Sequence, residues 1–227
     1  MYKRILIGGS AGSFEQVSQL LSAESLYHCP PIIFIMHLSE NYDAKNLCNA
    51  FQSLVHIKCK LVQNHDWIES DTLYIADGRY HVLLDNDGQR FRLYDDEPFH
   101  YAKPSIDLLF ESCCGSEAKS TLAIVLSGAN SDGSTGLKKL FDAGAHCCIA
   151  SPNNTPHSAM PTSALHTVPN AEVLPDEVDS QWLVKLLACD KRSTEHLHHT
   201  SKSKLSNSVH ASASDIKPSN TLVGGHQ

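Results

Sequence analysis

The chain has 227 residues, which suits one domain or one domain with an extension. Apolar residues make up 41% and charged residues 19%, a composition that can bury a core and that excludes collagen, coiled coil and strongly acidic disorder. Lys and Arg number 18 against 25 Asp and Glu, a net charge of −7, and no basic run occurs in the body of the chain, so nucleic-acid binding is not expected.

Arg4–Ile7 is a compact, mostly apolar run ending in Gly8-Gly9, and it predicts a strand. Phe14, Val17, Leu20 and Leu21 follow at helical spacing. Pro31–Met36 is a second apolar strand ending at His37, and Leu47, Phe51 and Leu54 predict a helix after it. Thr72–Ala76, Tyr80–Asp85 and Phe91–Tyr94 read as short strands of an antiparallel appendage, with Asn86-Asp87-Gly88 as a hairpin turn between the last two. Ser105–Cys114 returns to helix, started after Pro104. Leu122–Leu126 is a third buried strand ending at Ser127-Gly128. Leu137, Leu140 and Phe141 then make a helix stopped by Gly144. Cys147–Ala150 is a fourth strand, and Trp182, Val184, Leu186 and Leu187 suit a final helix. Continuous apolar runs argue for strands covered on both faces. Their alternation with helices predicts an α/β fold: a doubly wound, mostly parallel sheet flanked by helices, with a small antiparallel β-hairpin insertion.

Composition changes sharply near residue 190. The expected organisation is a domain over residues 1–189 and a tail over 190–227, rich in Ser, His and Lys. The tail holds only scattered apolar residues, too few to offset its ordering entropy, and is expected to be disordered. Its His196-Leu197-His198-His199 cluster reads as a solvated polar segment or an adventitious metal ligand. The longest apolar stretches of the body, such as Ile32–Met36, are far too short to cross a bilayer. The N-terminus lacks the pattern of a signal peptide, so a cytoplasmic protein without membrane insertion is expected. Eight cysteines stand at 29, 48, 59, 113, 114, 147, 148 and 189, with no C-x-x-C and no Cys/His zinc spacing. The two vicinal pairs, 113/114 and 147/148, lie inside apolar segments and are expected to be reduced, buried, small hydrophobes.

Gly8-Gly9-Ser10-Ala11-Gly12 fits G-x-S-x-G at the end of a strand and just before a helix, the setting of a nucleophile elbow. Glycines let the backbone turn sharply and leave the serine oxygen exposed. A tight βα turn or a phosphate-cradling loop would look the same. Serine is a weak nucleophile and needs a base. His37 ends the next strand, so it falls on the same sheet edge as Ser10 if the two strands are adjacent; otherwise it merely caps a strand. Asp132, in Ser127-Gly128-Ala129-Asn130-Ser131-Asp132-Gly133, follows a third buried strand. It could orient the imidazole, or it could be a turn or N-cap residue. All three candidates lie at C-terminal strand ends, where open α/β sheets place their sites. The order Ser, His, Asp differs from the Ser, Asp, His order of α/β-hydrolases.

These segments carry a resemblance. Ile5–Gly12, Ile32–His37, Tyr74–His81, Lys103–Phe110, Ser127–Gly136 and Ala159-Met160-Pro161 are similar, in order, to the catalytic domain of the CheB-type chemoreceptor glutamate methylesterase family, over nearly all of residues 1–189. The resemblance implies a Ser-His-Asp hydrolase that demethylates glutamate methyl esters on chemoreceptor cytoplasmic helices and deamidates certain receptor glutamines. It implies Ser10 as nucleophile, His37 as base and Asp132 as orienting acid. Backbone N–H groups around Ala11, Gly12 and Ala129 are implied as oxyanion and substrate donors. No metal or organic cofactor is implied. The family usually has Thr at Ala11, Met at Ala129, Gly at Asn130 and Arg at Lys103, and commonly an N-terminal receiver domain. This chain begins directly at the first catalytic strand, so control in cis by phosphorylation is not expected.

Two other readings compete. The same fold could serve as a catalytically weak protein that docks on receptors or their signalling partners, or as a general esterase of small molecules. Asp95-Asp96-Glu97 reads as a solvated acidic turn. His81 and His100 are minor candidates near the cleft, and Asp107 is expected to cap or pair rather than catalyse.

Overall fold

The structure is a computed structural model that describes residues 1–26, 28–38, 41–98, 102–176 and 179–189. The expected disordered tail, its histidine cluster and His100 lie outside the described residues. The elements are, in chain order, β1 (Arg4–Gly9), α1 (Ser13–Leu20), β2 (Ile32–Met36), α2 (Ala44–Gln52), β3 (Lys58–Leu61), β4 (Thr72–Ile75), β5 (His81–Leu84), β6 (Phe91–Tyr94), α3 (Ile106–Ser112), β7 (Thr121–Val125), α4 (Ser134–Asp142), β8 (His146–Ile149), α5 (Ala159–Thr167), β9 (Glu172–Val173) and a final helix α6 (180–189). Seven strands form one sheet in the order β3-β4-β2-β1-β7-β8-β9, and every pairing in it is parallel. β5 and β6 form a separate antiparallel hairpin, closed by a turn in which Gly88 adopts φ 67°.

The apolar runs explain the layers. Alternate residues of each central strand point to opposite faces, so a strand buried twice must be apolar throughout. Leu6, Ile33, Tyr74, Ala123, Val125 and Ile149 pack under α3, α4, α5 and the hairpin. Ile5, Ile7, Phe34, Leu73, Ile75, Leu122 and Ile124 pack on the other face with the α1 residues Val17 and Leu20, the α2 residues Leu47 and Phe51, and Leu183 of α6.

The structure corrects one expectation. Residues 72–75 belong to the main sheet, between β2 and β3, and not to the appendage. The reason is burial on both sides: all four residues of β4 are buried, with Leu73 and Ile75 facing one layer and Tyr74 the other. Only β5 and β6 remain outside the sheet. β3, β9 and helix α5 were not foreseen. β3 and β9 are edge strands whose exposed or half-buried residues carry no continuous apolar signal.

The strand order reverses at β1. The chain builds β2, β3 and β4 on one side of it, then crosses over to lay β7, β8 and β9 on the other. The loops leaving β1 and β7 therefore part company at this switch point, and a crevice opens at their carboxyl ends. Ser10 leaves β1 and residues 127–133 leave β7 at that crevice, while His37 leaves β2 beside them.

Candidate active site

The turn after β1 is held by packing that only glycine satisfies. A Cβ on Gly8 would lie 2.4 Å from Ile106 Cγ2, and one on Gly9 would lie 2.5 Å from the Ser13 side chain. Gly12 sits at φ 79°, a left-handed conformation that glycine adopts without Cβ strain. The turn is pinned on both flanks. The Ser10 N–H donates to the Ser127 carbonyl at 2.8 Å, and the His37 N–H donates to the Gly9 carbonyl at 3.3 Å. Residues 10 and 37 are therefore neighbours at the ends of adjacent strands. The Ser13 hydroxyl and N–H both donate to the Ser10 carbonyl, at 2.7 and 3.1 Å, and close the turn into α1.

Asp132 is buried and fully hydrogen-bonded. Its Oδ2 accepts from His37 Nε2 at 2.8 Å and from the Ile106 N–H at 2.7 Å. Its Oδ1 accepts from the Ser105 hydroxyl and from the N–H groups of Asp107 and Gly133, each at 3.0 Å. Burial by itself would raise this carboxyl, but the hydrogen bonds from His37 and from the first N–H groups of α3 outweigh it and hold the group below the usual carboxylate range. The α3 N-terminus supplies these donors because its first N–H groups have no partner within the helix. Ser105, the N-cap, is fixed in turn by buried His81, whose Nδ1 accepts the Ser105 N–H at 3.1 Å while Nε2 meets the Glu97 carbonyl at 3.1 Å.

The second nitrogen of the His37 ring has a partner that sequence reasoning did not supply. Asn130 Nδ2 donates to His37 Nδ1 at 3.2 Å. The orientation of this amide is set by its own oxygen, which accepts the Asp132 N–H at 3.2 Å. Both contacts fit a neutral imidazole with its proton on Nε2 and its lone pair on Nδ1. In this conformation Ser10 Oγ makes no hydrogen bond to the ring. Around the turn, exposed Ala11 and Ala129 present backbone N–H groups without a protein acceptor among the described residues. Behind them, the buried Ser127 hydroxyl donates to the Ala11 carbonyl at 2.7 Å, and the Ser127 N–H donates to Gln16 Oε1 at 2.8 Å.

A buried carboxylate, an imidazole held by it and a serine in a glycine-rich turn at one switch point make a candidate for acyl transfer. The CheB methylesterase family model matches residues 5–181. The chain belongs to the CheB methylesterase family.

Among relatives, a Methanosarcina mazei protein named protein-glutamate methylesterase/protein-glutamine glutaminase 1 is 26% identical over 181 residues, covering 77% of this chain but only 51% of its own length. A Leptospira interrogans protein given that name provisionally is 29% identical over 185 residues, covering 82% of this chain and 95% of its own. The crystal structure of the Thermotoga maritima CheB methylesterase catalytic domain superposes with a TM-score of 0.75 at 21% identity, over 82% of this chain and 99% of that one.

Within this family framework the predicted residues divide. The structure brings His37 and Asp132 into contact and sets Ser10, Ala11, Gly12 and Ala129 around the same crevice. His81 is a support beneath Ser105, and Asp107 accepts the Gly136 N–H at 2.7 Å, pairing α3 with α4. Lys103 Nζ is engaged with Asp95 at 2.9 Å. Ser127, Gln16 and Ser105 were missed. Ser105 alone had a legible signal, a serine between Pro104 and a helix.

Proposed function

We propose that this chain is a serine hydrolase that demethylates γ-glutamyl methyl esters on the cytoplasmic helices of chemoreceptor-type proteins. Family membership supplies the reaction class. The observation that carries the residue assignment is the His37–Asp132 contact beside a turn that holds Ser10. His37 Nδ1 takes the Ser10 proton as Oγ attacks the ester carbonyl, and the N–H groups of Ala11 and Ala129 receive the oxyanion. The imidazolium proton then passes to the departing methoxide, methanol leaves, and a γ-glutamyl ester of Ser10 remains. Water, deprotonated by the same nitrogen, releases the glutamate and restores the serine. A γ-carboxamide follows the same path with ammonia as leaving group. No helix among the described residues is long and apolar enough to cross a membrane, which suits action on receptor segments on the cytoplasmic side.

Asn130 gives the docking-protein reading its one specific support, since its amide occupies the lone pair that the base must use. A single neutral hydrogen bond is worth about 0.5–1.5 kcal/mol net, which slows an enzyme without silencing it. The test is methanol release from radiolabelled, methylated receptor. The wild-type protein is expected to release it and Ser10→Ala to fall by at least ~10³-fold. Equal rates would end the nucleophile assignment, and no release by either protein would favour docking.

A further inference from the structure

The described residues hold a second cluster of chemically reactive side chains, away from the catalytic crevice. His146 and Cys148 are two apart on β8 and so share one face of the sheet. Glu172 on β9 stands opposite Cys148 in the parallel register. Three donor atoms converge there. Cys148 Sγ lies 3.6 Å from His146 Nε2, His146 Nε2 lies 2.7 Å from Glu172 Oε2, and all three lie within 4.8 Å of one another. We propose that His146, Cys148 and Glu172 form a binding site for a thiophilic divalent transition metal, of which zinc is the type.

Donor chemistry selects the metal. A thiolate with an imidazole and one carboxylate suits zinc or cobalt, whereas calcium and magnesium require oxygen. The spacing fits as well. Bonds of about 2.3 Å to sulfur and about 2.0–2.1 Å to nitrogen put those two atoms ~3.5 Å apart around a tetrahedral ion. The nitrogen–oxygen contact must open by about half an ångström, and Glu172 is free to do so because it stands at the exposed edge of the sheet. Tyr2 supplies the feature that sets this cluster apart from an ordinary surface ion pair. Its hydroxyl engages His146 Nδ1 and leaves Nε2, the nitrogen facing both sulfur and carboxylate, to the ion. Histidine ligands are oriented in this way by a partner on their second nitrogen.

Binding breaks the Cys148 S–H bond, whose proton passes to solvent, and the His146 Nε2–H bond, whose proton is replaced by one on Nδ1 with the Tyr2 hydroxyl turned to accept it; S–metal, N–metal and O–metal bonds form with no change of oxidation state. Three protein ligands leave one tetrahedral position for water. His146 opens β8, whereas Ser10, His37 and Asp132 follow the carboxyl ends of their strands, so the proposed site is remote from catalysis. Its effect is to staple Tyr2, β8 and the two-residue β9 together.

Cobalt(II) titration of the full chain, with His196, His198 and His199 replaced by Ala to remove tail ligands, tests the site. One equivalent is expected to give a thiolate-to-cobalt charge-transfer band and tetrahedral d–d absorption. Cys148→Ser abolishes the charge-transfer band. Glu172→Gln weakens binding at least tenfold, and Tyr2→Phe lowers affinity about 10–100-fold, the range for a lost partner of a ligating histidine. Zinc is expected to raise the melting temperature of the parent and not of Cys148→Ser. No band at one equivalent, or a band that survives Cys148→Ser, overturns the proposal. If Cys148→Ser does not fold, unchanged affinity in Glu172→Gln and Tyr2→Phe overturns it equally.

Discussion

Among the described residues an imidazole is twice set against a carboxylate, and the two pairs behave differently. His37 meets Asp132 at 2.8 Å and His146 meets Glu172 at 2.7 Å, each through Nε2, and each ring has a second partner on Nδ1. The difference lies in what surrounds the carboxylate. The Asp132 side chain is 1% exposed and accepts backbone N–H groups from two elements as well as the Ser105 hydroxyl, whereas that of Glu172 is 43% exposed on an edge strand. A buried, saturated carboxylate cannot turn away or take up a ligand without stranding its donors. An exposed one on a short strand can. On the proposed assignments, the first arrangement fixes an imidazole for repeated proton transfer, and the second lets an exposed carboxylate move aside for a cation beside an imidazole and a buried thiol.

The largest effect expected from breaking this contrast is at Asp132. Asp132→Asn should lower the methylesterase turnover by about 10⁴-fold, as loss of the orienting acid does in serine hydrolases. It should also cost about 1–3 kcal/mol of stability, because one amide cannot satisfy the donors a carboxylate does. Steady-state kinetics and urea unfolding check both.

The acid dependence of folding comes next. Because the folded Asp132 carboxyl titrates below its unfolded value, its contribution is present above about pH 4 and is lost as pH falls through the folded value. Wild type should therefore keep its stability advantage over Asp132→Asn from neutral pH down to about pH 4 and lose it as the pH falls further, read from urea midpoints. An advantage that grows on acidification would contradict the assignment.

Asn130→Gly sharpens the comparison at smaller scale. Removing the amide frees Nδ1 for Ser10, so single-turnover acylation should quicken about 2–10-fold while KM holds, the span of one neutral hydrogen bond. A slower variant would make Asn130 a support for the ring instead of a competitor. The smallest effect belongs to Glu172→Gln in the presence of chelator. An exposed ion pair contributes about 0–1 kcal/mol, so unfolding midpoints should barely move although metal affinity falls.

How much was legible follows from what each signal requires. The central strands showed themselves because burial on both faces forces unbroken apolar runs, as in Ile32–Met36 and Leu122–Leu126. Ser10, His37 and Asp132 stood out as candidates because each follows such a run, Ser10 and His37 directly and Asp132 in the loop after β7. Asn130 was visible only as a departure from the family pattern, since its effect depends on an amide turned by the Asp132 N–H towards the ring. β3 and β9 were hidden because edge strands have one side in solvent and need no apolar period.

The sequence by itself determined the chemistry on offer, which residues can attack, accept a proton or bind a soft ion, because these capacities belong to side chains. It also determined the α/β alternation, because burial acts on every residue of a run. Only the tertiary structure decided which of those groups meet. Residues 37 and 132 touch because β1 separates two halves of the sheet whose loops converge at its end, and 146, 148 and 172 meet because β9 pairs in parallel with β8. Such juxtapositions depend on strand order and register, which no local pattern encodes.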